Sequence, residues 1–293
     1  MMELARIYAP IAADMVRVGE ELSQLMAGVG EGAGAAPRGG MLGRIVSHPL
    51  VVPGKRLRPA LVLLSSCAAG PNGAALPALS ADPAGAEFVS LAVAVEILHA
   101  ASLVHDDIID GADSRRNQVS LNRLYGNRVA VLAGDILYTR FFDLVHSLPS
   151  TEPAMRLRLL AEFLKTTEAM CMGEIIAQQA PAGPLPYDVY LEIVTDKTAV
   201  LFAACCRTAA ILRGAPPDVV TALDDYGLAL GLTFQMIDDL MDGDYRLDPS
   251  VDLREKAREH ADLARRRVQE LGPSAYRDSL HALVGSVVGQ AIP

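Results

Sequence analysis

Two acidic patterns, each closing a long apolar run, constrain this chain more than any other feature. The first is HAASLVHDDIID at 99–110 and the second QMIDDLMD at 235–242. Both place Asp-Asp-x-x-Asp after Leu, Val, Ile and Ala, the last turn of a run that reads as helix. On a helix, residues four apart share a face, with Cβ atoms about 6 Å apart. Asp106 and Asp110 form such a pair, as do Asp238 and Asp242. Carboxylates at the end of a buried run are costly unless compensated, and neighbouring ones repel. A hard cation such as Mg2+ answers both costs, because it takes carboxylate oxygens and keeps positions for water and phosphate. A lone pattern of this kind is more often a solvated helix end. Two copies in the same apolar setting, with Arg115 and Arg116 after one and Gln235 a turn before the other, favour the metal. The spacing predicts two facing helices that hold metal ions with a diphosphate between them.

The remainder of the chain reads as scaffold. No period-two strand pattern of any length occurs among the 293 residues, and every long segment has helical spacing. The expectation is one all-α domain, a helical bundle around a central cavity, spanning 1–293. Helices are predicted over 3–27, 41–47, 60–69, 84–110, 129–145, 154–180, 185–213, 218–242, 251–271 and 275–291. Gly28 to Gly40 is rich in Gly and Ala and reads as a flexible connector, extended to 28–43 as a domain feature. Pro71 to Pro83 reads as a loop. The most apolar stretch, Phe88 to Val104, is interrupted by Glu96 and His99 and reads as a core helix, not a membrane span.

Charge narrows the partners. A net charge of −9 argues against nucleic acid, which needs a basic surface. Lysine is scarce, occurring only at 55, 165, 197 and 256. Lys55-Arg56-Leu57-Arg58-Pro59 opens an apolar helix, as either a solvated helix end or an anion clamp. Cys67, Cys171, Cys205 and Cys206 lack metal-ligand spacing and read as buried free thiols of a reducing, cytoplasmic setting. Early Glu3 argues against a signal peptide.

Five segments in order resemble the all-trans polyprenyl diphosphate synthases, most closely the long-chain members such as octaprenyl diphosphate synthase. They are GKRLRP at 54–59, HAASLVHDDIID with Arg115-Arg116, GNRVAVLAGD at 126–135, DKTAVLF at 196–202 and FQMIDDLMD at 234–242. The resemblance implies Mg2+-dependent condensation of isopentenyl diphosphate with an allylic diphosphate, farnesyl or geranylgeranyl, by a homodimer. It implies that Asp106, Asp110, Asp238 and Asp242 are metal ligands. Lys55, Arg58, His99 and Arg116 then match the isopentenyl diphosphate pocket. Arg115, Lys197, Thr198 and Gln235 match groups around the allylic diphosphate, and Lys197, Asp106 and Asp238 the catalytic centre. A lone His in an apolar helix is otherwise a satisfied core residue. Small residues at Ala101 and Ser102, one turn deeper than Asp106, leave a tunnel open for a long product, or simply allow close helix packing.

The resemblance breaks after Asp242. Members of the family continue with a glycine- and lysine-containing segment, whereas this chain runs through GDYRLDPSVDL into REKAREHADLARRRVQEL, which looks like the family's penultimate helix. Several dozen residues are missing, leaving a shortened C-terminal region at 245–293. A second departure is Ala177, where many members have Gln, with Gln178 one place late. The missing segment motivates a rival reading, a weakly active or non-catalytic partner subunit in a heteromer with a homologous synthase. A class I terpene cyclase is disfavoured, because it has no need of a second diphosphate pocket.

Overall fold

The computed structural model describes residues 2–27, 36–51, 54–70, 85–115, 118–149, 151–243 and 245–291. The helices are α1 (Met2–Ile7), α2 (Ala12–Ala27), α3 (Ala36–Val51), α4 (Leu57–Ala68), α5 (Gly85–Ile109) and α6 (Leu121–Tyr125). They continue with α7 (Asn127–His146), α8 (Pro153–Gln179), α9 (Tyr187–Val194), α10 (Val200–Arg213), α11 (Pro217–Asp242), α12 (Leu253–Gln269) and α13 (Ala275–Val288). Two short strands, β1 (Ser114–Arg115) and β2 (Gln118–Val119), pair antiparallel with Arg115 opposite Gln118. The all-α expectation holds.

Helix α5 is the axis. It is apolar all round, so it is stable only when surrounded. Phe88, Val89, Ile97 and Leu98 are buried, and α2, α4 and α7 pack against it. By length and composition α5 could cross a membrane, yet 72% of its most apolar window is buried inside the protein. It is a core helix.

Helix boundaries follow local chemistry. Pro153 and Pro217 open α8 and α11, where a missing N–H costs nothing. Gly214 and Gly243 close α10 and α11 in the left-handed conformation, at φ 72° and 69°. The Asp252 carboxylate accepts from the amides of Arg254 and Glu255 to cap α12, and Ser274 caps α13.

Several sequence expectations are corrected. The helix expected over 3–27 is broken at Ala9–Ile11 by a 3-10 turn, where Pro10 supplies no amide. Much of the expected connector at 28–43 is helical, because α3 begins at Ala36; residues 28–35 lie outside the described residues. Helix α3 also runs through Pro49, two residues short of its end. The loop expected at 71–83 lies outside the described residues. The helix expected over 185–213 begins at Tyr187 and is divided by a π turn at Thr195–Ala199. Cys67, Cys205 and Cys206 are buried, but Cys171 is exposed on α8.

Three glycines set how closely the helices approach. A Cβ on Gly173 of α8 would lie 2.6 Å from the Lys197 amide nitrogen. On Gly227 it would lie 2.6 Å from the Phe202 carbonyl oxygen, and on Gly231 2.7 Å from Ala199 Cα. Gly227 and Gly231 are one turn apart on α11, so backbone meets backbone along α10 and the π turn. Gly231→Val is expected to force these elements apart and destabilise the protein by about 2–3 kcal/mol, since close-packed cores do not absorb added volume. Denaturant unfolding measures this, and a loss below about 0.5 kcal/mol would show the contact to be compliant.

Candidate active site

The ends of α5 and α11 meet at a cavity of about 310 Å³. Its wall is formed by Arg58 of α4; His99, Ser102, Leu103 and Asp106 of α5; Asp110 beyond it; and Arg115 of β1. The other side is Met170, the π-turn residues Lys197 and Thr198, Leu201, and Phe234, Gln235 and Asp238 of α11. Nearly the whole set named from sequence therefore converges.

Two residues do not, among those described. Lys55 is outside the wall, its Nζ donating to Gln290 Oε1 at 2.8 Å; it lines a second cavity of about 250 Å³ with Leu57, Phe234 and Leu283, and its charge still favours ionised Asp238. Asp242 is exposed at the end of α11 and is not part of the wall. Arg116 lies outside the described residues. Ala101 is fully buried, and Leu103 instead joins Ser102 at the cavity surface.

The π turn carries both Lys197 and Thr198, and both reach the cavity wall. Lys197 Nζ lies 2.6 Å from Glu174 Oε2, one residue after the glycine that permits the close approach. Burial works against the Lys197 charge, but Glu174, Asp106 and Asp110 together hold its pKa above the ordinary lysine value. Burial likewise opposes ionisation of Glu174, yet hydrogen bonds from Lys197 and Gln178 hold its pKa below the usual value. Gln178, one place late in sequence, reaches Glu174 at 3.0 Å because residues four apart on α8 share a face.

The two acidic patterns differ in detail. Asp106 is pushed up to about 6 by burial, with Glu174 and Asp110 adding to the rise and Lys197 and Arg115 opposing it. Asp107 points elsewhere, buried and bonded to Arg115 Nε at 2.6 Å. Arg115 is thereby fixed between the hairpin and α5, at the cavity edge. On α11, burial raises Asp238, and Asp242 and Asp239 raise it further. Asp239 accepts from Gln235 Nε2 at 2.8 Å and from the Tyr190 hydroxyl at 2.5 Å. Thr198 Oγ1 donates to Gln235 Oε1 at 3.0 Å, completing a chain from the π turn to the acidic end of α11. Arg58 is seated over the Phe202 ring, 4.8 Å from its centroid, a cation–π contact that orients it across the cavity.

Glu174, Tyr190 and Asp239 are the functional positions that sequence reasoning did not assign. Glu174 follows Gly173 on α8, a pair visible in the sequence that spacing alone gives no role. Asp239 sits within the second acidic pattern, but its role depends on Tyr190, 49 residues earlier.

The donor chemistry suits a hard cation. Carboxylates of Asp106, Asp110 and Asp238 share one cavity, and among the described residues no three His, Cys, Asp or Glu side chains converge on a single point. Each wall offers part of a coordination shell, leaving positions for ligand oxygens.

The raised Asp106 carboxyl makes stability depend on pH. Its neutral form is the one the fold prefers, so its contribution is fully present below the unfolded value of 3.8 and is lost as pH rises through about 6. Asp106→Asn is expected to stabilise the metal-free protein by about 1–2 kcal/mol near pH 7.5 and by nothing measurable below about pH 4. Melting curves at the two pH values test this. An equal effect at both would show that charge burial is not the cause.

Comparison with known proteins places the chain in a family. Residues 40–250 match the polyprenyl synthetase family. Octaprenyl diphosphate synthase of Escherichia coli (strain K12) is 35% identical over 190 residues, 64% of this chain and 53% of that protein. Geranylgeranyl diphosphate synthase of Methanosarcina mazei is 37% identical over 191 residues, 64% of this chain and 55% of that protein. The chain thus spans about half the length of these curated relatives. A polyprenyl synthase from Caulobacter crescentus CB15, complexed with calcium and isoprenyl diphosphate, superposes with a TM-score of 0.81 at 25% identity. That superposition covers 98% of this chain and 98% of the other. With the match running from α3 past the end of α11, the chain belongs to the polyprenyl synthetase family.

Proposed function

We propose that this protein is a Mg2+-dependent prenyltransferase that condenses isopentenyl diphosphate with an allylic diphosphate, farnesyl or geranylgeranyl. The observation that carries the reading is one cavity walled by Arg58, Arg115 and Lys197 together with Asp106, Asp110 and Asp238. Cations and carboxylates on facing walls suit a diphosphate held through metal ions. Bound Mg2+ supplies Lewis-acid stabilisation of the leaving group.

The chain's own groups account for the rest. Lys197, kept charged by Glu174, and Arg115, fixed by Asp107, bind the allylic diphosphate. They stabilise the electron pair that moves onto its oxygen as the C–O bond breaks. Arg58 and His99 hold the isopentenyl diphosphate on the opposite side. Its double bond attacks the allylic carbon, and proton loss to the released diphosphate restores a double bond in a chain five carbons longer. Leu103, Met170, Leu201 and Phe234 give the cavity its apolar surface and exclude water from the cation. The α5 face beyond Asp106 offers Ser102 and Leu103 with no aromatic floor, which supports a long all-trans product.

The surface supports an oligomer. Val131, Leu132 and Ile136 of α7 and Leu157, Leu164, Met172 and Ile175 of α8 are exposed apolar side chains on neighbouring helices. A face of that kind marks an interface, and we assign it to a second copy or a homologous subunit. The buried free thiols of Cys67, Cys205 and Cys206 fit a reducing compartment such as the cytoplasm.

Two experiments test the reading. Purified protein with Mg2+, labelled isopentenyl diphosphate and farnesyl or geranylgeranyl diphosphate is expected to yield a long-chain product. Asp106→Ala should lower the yield by at least about a hundredfold. Diphosphate binding without product would favour the partner-subunit reading, which the short α11–α12 connection motivates. Leu132→Glu with Leu164→Glu is expected to convert a dimer to a monomer in light scattering, at about 1 kcal/mol or less of cost to the fold because both positions are exposed. An unchanged dimer would place the interface elsewhere.

A further inference from the structure

The connection between α11 and α12 is short, and from Tyr245 onward it is held by backbone and side-chain hydrogen bonds. After Gly243 ends α11, the strand-like segment 245–248 crosses to the link between α8 and α9. The Leu185 amide donates to the Arg246 carbonyl at 3.0 Å, and the Asp248 amide to the Leu185 carbonyl at 2.9 Å, forming a parallel bridge between Leu185 and Leu247. Leu247 is buried. The Arg246 guanidinium then grips the end of α8, with Nη1 donating to the Pro181 carbonyl at 3.2 Å and Nη2 to the Ala177 carbonyl at 3.2 Å. The carbonyls of a last helical turn lack intrahelical partners and carry the negative end of the helix dipole, so an arginine there satisfies both.

This strap is a wall. It borders a side chamber of about 200 Å³, with Tyr245 and Arg246 on one side and Lys197, Thr198, Gln235 and Asp239 on the other. Lys197, Thr198 and Gln235 also face the main cavity. The strap leaves α11 three residues after Asp242, so whatever holds the strap also restrains the acidic end of that helix.

We propose that Arg246 is a positioning residue of the site. By fastening the strap to the end of α8 it bounds the allylic diphosphate side and holds the acidic end of α11. The inference rests on the prenyltransferase reading of the same cavity.

Arg246 is exposed, so its replacement leaves the core intact. The test titrates inorganic diphosphate at saturating Mg2+ into wild type, Arg246→Ala, Arg246→Lys and Asp106→Ala, alongside KM for each substrate. Arg246→Ala is expected to weaken diphosphate binding and raise the allylic KM roughly tenfold, the scale of two lost hydrogen bonds. The isopentenyl KM should stay unchanged, and Arg246→Lys should recover part of the loss. Unchanged binding in Arg246→Ala, or an equal rise in both KM values, would overturn the inference. Unchanged binding in Asp106→Ala, or a wild type that binds no diphosphate, would overturn the reading of the cavity itself, and the role of Arg246 with it.

Discussion

The site depends on backbone approaching backbone where α8, the π turn and α11 meet. Gly173, Gly227 and Gly231 leave no side chain between these elements, and each position faces main-chain atoms at less than van der Waals distance from any added Cβ. That contact fixes the π turn, and the π turn carries both Lys197 and Thr198. The charge of Lys197 and the hydrogen-bonded path from Thr198 to Asp239 follow from it. Packing here is upstream of electrostatics.

The electrostatics then divide labour among similar residues. Within one acidic pattern, Asp106 faces the cavity and resists ionisation, while adjacent Asp107 is neutralised by Arg115 and anchors the hairpin. Within the other, Asp238 borders the cavity and Asp239 is held by Gln235 and Tyr190. A carboxylate exposed to the cavity and short of partners is suited to a cation. One already bonded on two sides is suited to holding a helix end in place. Burial and direction, not residue type, separate the two roles.

The short connection after α11 is held by few contacts. The backbone bridge to Leu185 and the grip of Arg246 on the end of α8 need only a few residues, and Asp248 and Asp252 turn the chain directly into α12. Hydrogen bonds to carbonyls that would otherwise meet water are an inexpensive way to close an edge.

The sequence by itself determined the helical class, the course of most helices and the two acidic patterns at the cavity, while the other site residues came from the family resemblance. Those signals are local: apolar period, caps, and aspartates four apart. Only the tertiary structure decided that α3 runs through Pro49, that Cys171 is exposed and that Lys55 bonds to Gln290. Glu174 and Tyr190 were illegible for the same reason. Their partners are remote in the chain, and a pairing across 23 or 49 residues leaves no trace in local periodicity. The division between Asp106 and Asp107 is settled the same way, because helix spacing assigns a face but only packing decides what each face meets.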